Sequence, residues 1–529
     1  MLNLSIESLD WALRHNKWQD TDIMPRAFEF DAIAFNWTQN LELRSNLHGK
    51  DILTWKARCF RQCLSPKNRL SYRICTQLDP LDALVYAALV YEIGFDIEQL
   101  RVPIEKEVVF SHRFEPNETD MFAGGMGWNP FARRVHELAN SPAHEWVMVT
   151  DIADFFTSLS VNCISKALEA CSKTDHSAAI VRLLTQWNES SPTGLPIGPT
   201  PSRLLSELVL AKVDEELLQA GCVFCRCFDD YVFFCESEAT GHELVALLAK
   251  LLYEVDGLSL RAEKTRVMTT GDYRRRFDET DVGGMHALVD RFLEIVSDTN
   301  VPVLYEPIDY DQLSARDRER LDELDFSAIV NQQFSADGPL DIPVLRFSLD
   351  RLAERGIWKF FELVTSQVSD LPVVLRSVLR SLERAVEARP DEAERAEAEL
   401  LGLLNSPVVR NLEYCRCWIL NTYANGIGIA SVDRLVDLQA ALTDEFSQRE
   451  LILAIGKSGM DEWFRQAKTG VMDLRSWERR AFLAAAISLP AAESSQFYRK
   501  VQSQLDELEK AIVSWAQLTN TERKKASFD

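Results

Sequence analysis

Two stretches decide the fold: VMVTDIADFF at residues 147–156 and CRCFDDYVFF at residues 225–234. Both are apolar runs with the length and composition of β-strands. In the first, Asp151 lies where the strand ends. In the second, Asp229 and Asp230 lie between two apolar runs, which predicts a β-hairpin with both acids at its turn. The two patterns together predict neighbouring strands that bring carboxylates to one edge of a sheet.

Carboxylates on neighbouring strands are suitable ligands for divalent cations. Two Mg²⁺ ions about 3.5 to 4 Å apart need several oxygen ligands on rigid elements, so that one ion activates an attacking hydroxyl and the other stabilises the leaving oxygen. Asp151, Asp229 and Asp230 therefore predict a site for two Mg²⁺ ions, with Mn²⁺ as an alternative. Taken alone, two adjacent acids between strands are more often an ordinary turn.

A loop between the two stretches strengthens the prediction. In GLPIGPTPSRLL, residues 194–205, Gly194 and Gly198 permit close backbone approach, and Pro199 stiffens the entry to a helix that Ser202 would cap. The loop is either a platform for a nucleotide and template or only a rigid start for the helix.

Basic residues lie on both sides of the acidic stretches. Lys264 follows a predicted short strand in LSLRAEKT, residues 258–265, where it either offers positive charge or a proton to a leaving pyrophosphate or is a solvated surface lysine. Arg69 and Arg73 lie in NRLSYRICTQLDPLD, residues 68–82. Their forked side chains suit phosphate oxygens, and the alternative is an ion pair with nearby acids.

The order of elements predicts an α+β fold. Between Glu145 and Thr270, strands and helices alternate as in a split βαβ palm, an antiparallel sheet with helices on one face. From about Met285 onward only helical patterns follow, which predicts an all-α helical-repeat domain, a HEAT-like solenoid, with a plain helical bundle as the alternative. The predicted parts are a helical extension at 1–60, fingers and palm at 61–284, and the α-helical domain at 285–529.

Bulk composition limits the class of protein. With 529 residues, 46% of them hydrophobic, the chain has enough apolar material for several packed domains. No apolar run approaches the roughly 20 residues that cross a bilayer, and the start lacks the layout of a secretory signal, so we expect a cytoplasmic protein with no membrane partner. The net charge of -23 argues against a protein that coats duplexes and places any nucleic acid in a local groove.

The order of DIADFF, GLPIGPTPSRLL, FDD between strands and LSLRAEKT resembles the reverse-transcriptase fingers-palm, over roughly residues 60 to 275. The opening ALRHNKWQDTDIMPRAFEFDAI at 12–33, the run VFSHRF at 109–114 and the helical C-terminal half resemble one branch of that family, the prokaryotic abortive-infection and defence-associated reverse transcriptases of the AbiK-like type.

The resemblance also implies roles for single residues at the acidic site. Asp151 and Asp229 would be the main metal ligands, Asp230 would complete the pair, and the carbonyl of Ile152 would also touch metal. Lys264 matches the lysine that follows the catalytic hairpin.

The chain departs from the usual family pattern at two positions. Cys227 stands where a tyrosine is usual, and Ala153 stands where a basic residue is common. Neither change removes a predicted metal ligand.

For the incoming nucleotide, the resemblance places Phe156 at an aromatic gate. A ring under the sugar would clash with a 2′-hydroxyl and favour deoxynucleotides, and the alternative is a core phenylalanine, a role that suits Phe155. Arg73 aligns with the fingers arginine that holds the triphosphate, because its distance in sequence to Asp82 matches the family. The predicted nucleotide-binding set is Arg69, Arg73, Phe156, Gly198, Pro199 and Ser202.

The function predicted from these patterns is a Mg²⁺-dependent DNA polymerase that transfers deoxynucleotides from dNTPs to a 3′-hydroxyl or to a protein hydroxyl. AbiK-like relatives imply anti-phage defence, synthesis without a conventional template, single-stranded DNA attached covalently to the enzyme, and a homo-oligomer such as a trimer or a hexamer. Two alternatives stay open. One is an RNA-templated, retron-like reverse transcriptase, and the other is a non-catalytic helical scaffold that binds a protein.

Overall fold

The chain divides into two compact units. The computed structural model describes residues 1–18, 23–39, 42–67, 71–190, 194–279, 314–322, 324–335, 342–354, 372–427 and 432–518. Among these, unit 1 covers Met1–Gln62, Cys75–Glu279 and Leu518, and unit 2 covers Cys63–Ile74 and the residues from Ser314 to Gln517.

Unit 1 contains helices, the larger of the two described sheets and the base of the β1–β2 hairpin. Its helices are α1 (Ile6–Trp18), α2 (Glu29–Gln39), α3 (Glu42–Gly49), α4 (Pro80–Leu100), α5 (Trp128–Ala139), α6 (Phe155–Ser158), α7 (Val161–Leu168), α8 (Thr174–Ser190), α9 (Thr200–Gln219), α10 (Glu238–Asp256) and α11 (Thr270–Glu279). The strands are β1 (Arg61–Pro66), β2 (Tyr72–Gln77), β3 (Trp146–Asp151), β4 (Val223–Cys227), β5 (Asp230–Cys235) and β6 (Arg266–Thr269), and residues 63–74 at the far end of the β1–β2 hairpin group with unit 2.

A four-stranded antiparallel sheet forms the centre of unit 1, in the order β4-β5-β3-β6. The two stretches that decide the fold are its three adjacent strands, because β3 pairs with β5 and β5 forms a hairpin with β4. Strand β3 lies between β5, which pairs with it as far as Asp151, and β6, which pairs with it from Trp146 to Val149. The predicted antiparallel palm and its hairpin are confirmed.

Helices cover both faces of this sheet, which corrects the prediction that they lie on one face. Because side chains alternate along a strand, Cys225 and Cys227 point to one face, where they pack with Phe131 of α5. On the other face Tyr231 bonds to Asp214 of α9, and α10 packs there against β3 and β5. The sequence WNPFARRVHELA forms α5, a helix that the sequence analysis did not predict.

Helix α4 is the central helix of unit 1, buried along most of its length. Its predicted start is confirmed, since the side chain of Asp79 accepts a hydrogen bond from the amide of Leu81 and Pro80 occupies the first turn. Glu92 ties this helix to two neighbours. Its carboxylate accepts hydrogen bonds from Ser8 of α1 at 2.5 Å and from His176 of α8 at 2.5 Å.

The described residues of unit 2 form helices and their connections, apart from the hairpin residues 63–67 and 71–74. Its described helices are α12 (Ala315–Asp322), α13 (Phe326–Ser335), α14 (Ile342–Glu354), α15 (Leu375–Ala388), α16 (Ala393–Asn405), α17 (Pro407–Asn411), α18 (Glu413–Ala424), α19 (Val432–Leu438), α20 (Glu445–Ser458), α21 (Asp461–Ala467), α22 (Ser476–Ala485), α23 (Ala491–Val501) and α24 (Glu507–Ala516). Alternate helices pack in succession, α18 on α20, α20 on α22 and α22 on α24. No helix in the described part of the chain has both the length and the apolar character that a bilayer crossing requires.

We predict that Glu92→Gln lowers the free energy of unfolding by about 2 kcal/mol at pH 7, because it weakens charge-assisted hydrogen bonds in a mostly buried position. Burial alone would raise the pKa of Glu92, but the bonds from His176, Ser8 and Ser5 lower it to about 2. A lowered pKa stabilises the fold above the ordinary value near 4.5, and this contribution disappears as the pH falls from 4.5 towards 2.

Chemical unfolding followed by tryptophan fluorescence at pH 7 and pH 4 measures this effect. The matched control is Glu254→Gln, an exposed glutamate of α10. Equal stability of the two variants at pH 7 would contradict the role of Glu92.

Candidate active site

The three predicted acids meet at one end of the central sheet. In the antiparallel register of β3 and β5, Asp151 lies directly opposite Asp230. The amide of Ile152 donates to the carbonyl of Asp229 at 3.1 Å, which extends the pairing one residue into the turn. The carboxyl groups of Asp229 and Asp151 are hydrogen-bonded to each other. Backbone pairing therefore brings the acids together, and their side chains touch.

Crowding of these acids alters how strongly they hold protons. Burial, the hydrogen bond with Asp151 and the charges of Asp230 and Asp151 raise the pKa of Asp229 to about 7. Burial also raises the pKa of Asp230, although the positive charge of Lys264 opposes that shift. Like charges in a partly dry site disfavour ionisation, so this cluster has a strong electrostatic preference for a cation.

Two basic side chains supply positive charge at the cluster. The ammonium Nζ of Lys264 lies 2.9 Å from Oδ2 of Asp151 and 3.8 Å from Oδ1 of Asp230. Burial by itself would lower the pKa of Lys264, but the hydrogen bond to Asp151 and the neighbouring acids raise it overall. Arg261 adds its Nε at 3.3 Å from Oδ2 of Asp151. Lys264 is thus a neighbour of the acids and not a distant surface lysine.

The donor chemistry of the cluster fits a hard divalent cation. Carboxylate oxygens are the ligands that Mg²⁺ and Mn²⁺ prefer, and Asp151, Asp229 and Asp230 supply them from rigid strand ends. Across the ranges that the structure describes, no three His, Cys, Asp or Glu side chains are arranged as a metal-binding group. The cation that stands between Asp151 and Asp230 is the ammonium of Lys264.

The segment that carries Lys264 differs from the prediction. LSLRA was expected to be a strand, but only Leu260 forms an isolated bridge, with Ile152, and the strand β6 begins later, at Arg266. Residues between them form a turn in which the amide of Lys264 donates to the carbonyl of Arg261 at 3.0 Å. This turn presents both basic side chains to Asp151, which a straight strand would not do, because neighbours three apart on a strand face opposite sides.

The Gly-Pro loop lies against the segment that follows Asp151. The amide of Leu195 donates to the carbonyl of Phe156 at 3.0 Å. Gly194 has φ +65°, and a Cβ there would lie 2.4 Å from the carbonyl oxygen of Phe156 and 2.7 Å from that of Leu159. Phe155 is buried, whereas Phe156 is only partly buried. The loop therefore packs on the backbone of the residue predicted to form the aromatic gate.

Within the same loop, Ser202 is not the helix cap. Helix α9 begins at Thr200 after Pro199, and Ser202 is fully inside its first turn. Its hydroxyl lies 3.2 Å from that of Tyr86 and is buried. The predicted cap failed because Pro199 and Pro201 both favour helical entry, so the helix starts earlier. Gly198 has φ 134°, a conformation that favours glycine.

The two predicted fingers arginines lie in or beside the β1–β2 hairpin sequence. Arg69 lies outside the described residues. Arg73 is an exposed residue of β2, within the part of the hairpin that groups with unit 2. The backbone of the same strand touches the Gly-Pro loop, since the amide of Thr76 donates to the carbonyl of Ile197 at 2.8 Å.

Sequence reasoning missed Arg261, and it missed Arg226 and Ser111, which bond to Phe228 in the turn between β4 and β5. The signal for Arg261 was its position three residues before Lys264 in a segment that ends in a turn. The signal for Arg226 was a charge between two buried cysteines in an apolar strand, which places it on the opposite face from them. Ser111 had no local signal, because its partner Phe228 is distant in sequence.

We predict that Gly194→Ala lowers the free energy of unfolding by at least about 1 kcal/mol more than Gly257→Ala does. The two glycines have nearly the same φ, +65° and +66°, so the backbone penalty is shared. A Cβ at position 194 meets carbonyl oxygens, whereas one at 257 meets nothing within 4 Å. Chemical unfolding of both variants measures the difference, and equal losses would contradict a close approach of the loop.

Comparison with known proteins agrees with this geometry. Residues 96–304 match the family model described as reverse transcriptase (RNA-dependent DNA polymerase), a range that contains all three acids, the Gly-Pro loop and Lys264. No curated protein matches the chain.

A solved structure of telomerase from Candida albicans, in complex with the TWJ fragment of telomeric RNA, is similar at 12% identity. Its TM-score is 0.30, and the match covers 84% of this chain and 67% of that one, a likeness too weak to carry an argument. The domain match and the acidic cluster do carry one. Residues 96–304 match a reverse-transcriptase domain, and the chain is an enzyme of the nucleotidyltransferase class.

Proposed function

We propose that the chain is a Mg²⁺-dependent DNA polymerase whose catalytic residues are Asp151, Asp229, Asp230 and Lys264. The observation that carries the proposal is the register of β3 and β5, which pairs Asp151 with Asp230 at a strand end beside the turn at Asp229. Mn²⁺ is the alternative ion, since it takes the same oxygen ligands. The reaction joins the α-phosphate of a dNTP to a hydroxyl and releases pyrophosphate.

The residues that would hold the metal are Asp151 and Asp229, with Asp230 and the carbonyl of Ile152 as further ligands. When bound, a divalent cation lowers the pKa of the attacking hydroxyl and offsets charge on the leaving oxygen. The protein itself supplies a second positive group. Lys264 Nζ, which is 2.9 Å from Asp151, can carry its proton and its charge towards the leaving pyrophosphate.

For the nucleotide we propose the partly buried ring of Phe156 as the group that the sugar contacts. The carbonyl of Phe156 accepts a hydrogen bond from the amide of Leu195 at 3.0 Å, which ties the backbone that carries the ring to the Gly-Pro loop of Gly198 and Pro199. A fixed ring excludes a 2′-hydroxyl more effectively than a mobile one, which favours dNTPs over rNTPs. Arg69 and Arg73 are proposed triphosphate contacts. Ser202 supports the loop through Tyr86, and any nucleotide contact by its buried hydroxyl would require the loop to move.

We further propose that synthesis is untemplated and protein-primed, with single-stranded DNA attached covalently to a homo-oligomer, a trimer or a hexamer, in cytoplasmic anti-phage defence. The resemblance to the AbiK-like branch supports this proposal. The net charge of -23 is consistent with it, because an enzyme that carries its own product needs less electrostatic grip on a long duplex. The proposed division is a helical extension at 1–60, fingers and palm at 61–284 and a helical domain at 285–529.

An RNA-templated reverse transcriptase is the second candidate. The printed description of the matched family, RNA-dependent DNA polymerase, favours it. Product that forms after exhaustive ribonuclease treatment and that enters the gel as free DNA only after protease digestion supports protein priming. Loss of all product after ribonuclease treatment supports the templated reaction.

For unit 2 we propose a HEAT-like solenoid that binds a protein partner. The helices α20, α22 and α24 begin at Glu445, Ser476 and Glu507, a constant interval, and they pack in succession. The guanidinium group of Arg449 on α20 lies 5.6 Å from the ring of Trp477 on α22, so a cation–π contact links these neighbouring helices. Arg480, on the same helix as Trp477, lies 4.3 Å from that ring. Such a ladder buries a continuous core and leaves one long face for a partner.

We predict that Asp229→Asn reduces incorporation of labelled dNTPs on the order of 100- to 1,000-fold or more, because the amide removes a charged ligand from the reacting centre. Asp151→Asn gives a similar loss. The assay incubates the 60.2 kDa chain with each labelled dNTP or rNTP and Mg²⁺, and reads a denaturing gel. Chelation of Mg²⁺ abolishes the signal.

The matched control is Asp175→Asn, an exposed acid of α8, which keeps the wild-type rate. Wild-type incorporation by Asp229→Asn would show that the acidic cluster is not the site of transfer.

A further inference from the structure

The residue before the catalytic pair is held in an unfavourable backbone conformation. Phe228 has φ 56°, in the left-handed region that bulky L residues rarely adopt. It is the first residue of the turn between β4 and β5, immediately before Asp229. Its φ therefore sets the direction in which the carboxylate of Asp229 leaves the hairpin. A strained residue persists only when its surroundings hold it.

Both backbone polar atoms of Phe228 are held by buried side chains. Its amide donates to the hydroxyl of Ser111 at 2.8 Å, and its carbonyl accepts from Nη1 of Arg226 at 2.9 Å. The ring of Phe228 packs edge-on against His112, with centroids 4.8 Å apart. Three groups thus fix the amide, the carbonyl and the side chain of one strained residue.

These groups are themselves fixed by a network of buried charges. Arg226 is completely buried and donates to Glu207 at 2.9 Å and to Asp214 at 2.8 Å. The hydroxyl of Ser111 also bonds to Glu207. Glu207 also accepts a hydrogen bond from Arg101, whose Nη2 lies 2.8 Å away. If Ser111 turned away from Phe228, the amide of Phe228 would lose its hydrogen-bond acceptor.

The backbone around Ser111 is tied to the same strand. The amide of Arg226 donates to the carbonyl of Val108 at 2.7 Å, and the amide of Phe110 donates to the carbonyl of Arg226 at 2.8 Å. The run VFSHRF thus lies beside β4 and reaches the turn between β4 and β5. From this run, the hydroxyl of Ser111 and the imidazole of His112 contact Phe228.

We propose that Ser111 and Arg226 are positioning residues that hold Phe228 in its left-handed conformation and thereby aim Asp229 at the reacting atoms. The inference rests on the proposed nucleotidyl transfer at Asp229. A purely structural network would only stabilise the fold. A positioning network changes the rate at saturating dNTP while KM for the dNTP stays the same.

The experiment uses Ser111→Ala, because loss of Arg226 would remove the buried cation that pairs with Glu207 and Asp214 and would destabilise the whole fold. Ser111→Ala is expected to lower kcat roughly 10- to 100-fold with KM within about twofold of wild type, as expected for a misplaced catalytic group. The control is Ser206→Ala, which removes another buried hydroxyl, one that donates to the carbonyl of Arg203 within α9. The control keeps the wild-type kcat.

A second background separates positioning from general stability. The two hydrogen bonds that Phe228 makes with Ser111 and Arg226 are here called the brace. Glycine adopts positive φ without strain, so Phe228→Gly removes the need for the brace. In that background, Ser111→Ala is expected to lower kcat by less than about threefold. An equal loss in both backgrounds, or an unchanged kcat in Ser111→Ala alone, would overturn the proposal.

Hydrogen exchange tests the brace without relying on catalysis. The amide of Phe228 is expected to exchange at least about tenfold faster in Ser111→Ala than in wild type, and to be unaffected by Ser206→Ala. If the wild-type chain incorporates no nucleotide but the amide of Phe228 exchanges faster in Ser111→Ala, the proposed function fails and the brace is supported. If the amide remains protected in Ser111→Ala, the brace itself is refuted.

Discussion

The pairing of β3 with β5 is the constraint on which the site depends. Antiparallel hydrogen bonds place Asp151 opposite Asp230, and the bond from Ile152 to Asp229 carries that register into the turn. Side chains alternate along a strand, so a slip of one residue would turn Asp151 to the other face of the sheet. Packing on both faces opposes such a slip, since Val147 and Tyr231 are fully buried on opposite sides.

Two groups of charged side chains lie at this end of the sheet. In the acidic cluster, burial and mutual repulsion raise the pKa of Asp229 and of Asp230, so a cation that reaches the cluster stabilises the ionised acids. Lys264 supplies one positive charge at that cluster. In the second group, Arg226 is fully buried and paired with Glu207 and Asp214, and these ion pairs hold it in place under the turn. The side chain of Lys264 is 53% exposed, whereas that of Arg226 is 1% exposed.

Local patterns predicted the elements that depend on local rules, and missed the contacts that depend on distant residues. The acidic hairpin and the capped start of α4 follow from strand alternation, turn position and helix capping, and the structure confirms them. Two local predictions failed for local reasons: Ser202 lost the cap position to the prolines, and LSLRA formed a turn after a single bridge. The support of Phe228 by Ser111 joins positions more than one hundred residues apart, and no periodicity within a window of sequence reports such a contact.

The most direct test of the account is the position of Mn²⁺ in crystals of the chain grown or soaked with that ion. Anomalous scattering locates the metal independently of the protein atoms. The account predicts Mn²⁺ bound to carboxylate oxygens of Asp151 and Asp229, with the ammonium of Lys264 displaced from Asp151. An intact ion pair between Lys264 and Asp151 at saturating Mn²⁺, with no anomalous peak at the three acids, would contradict the account.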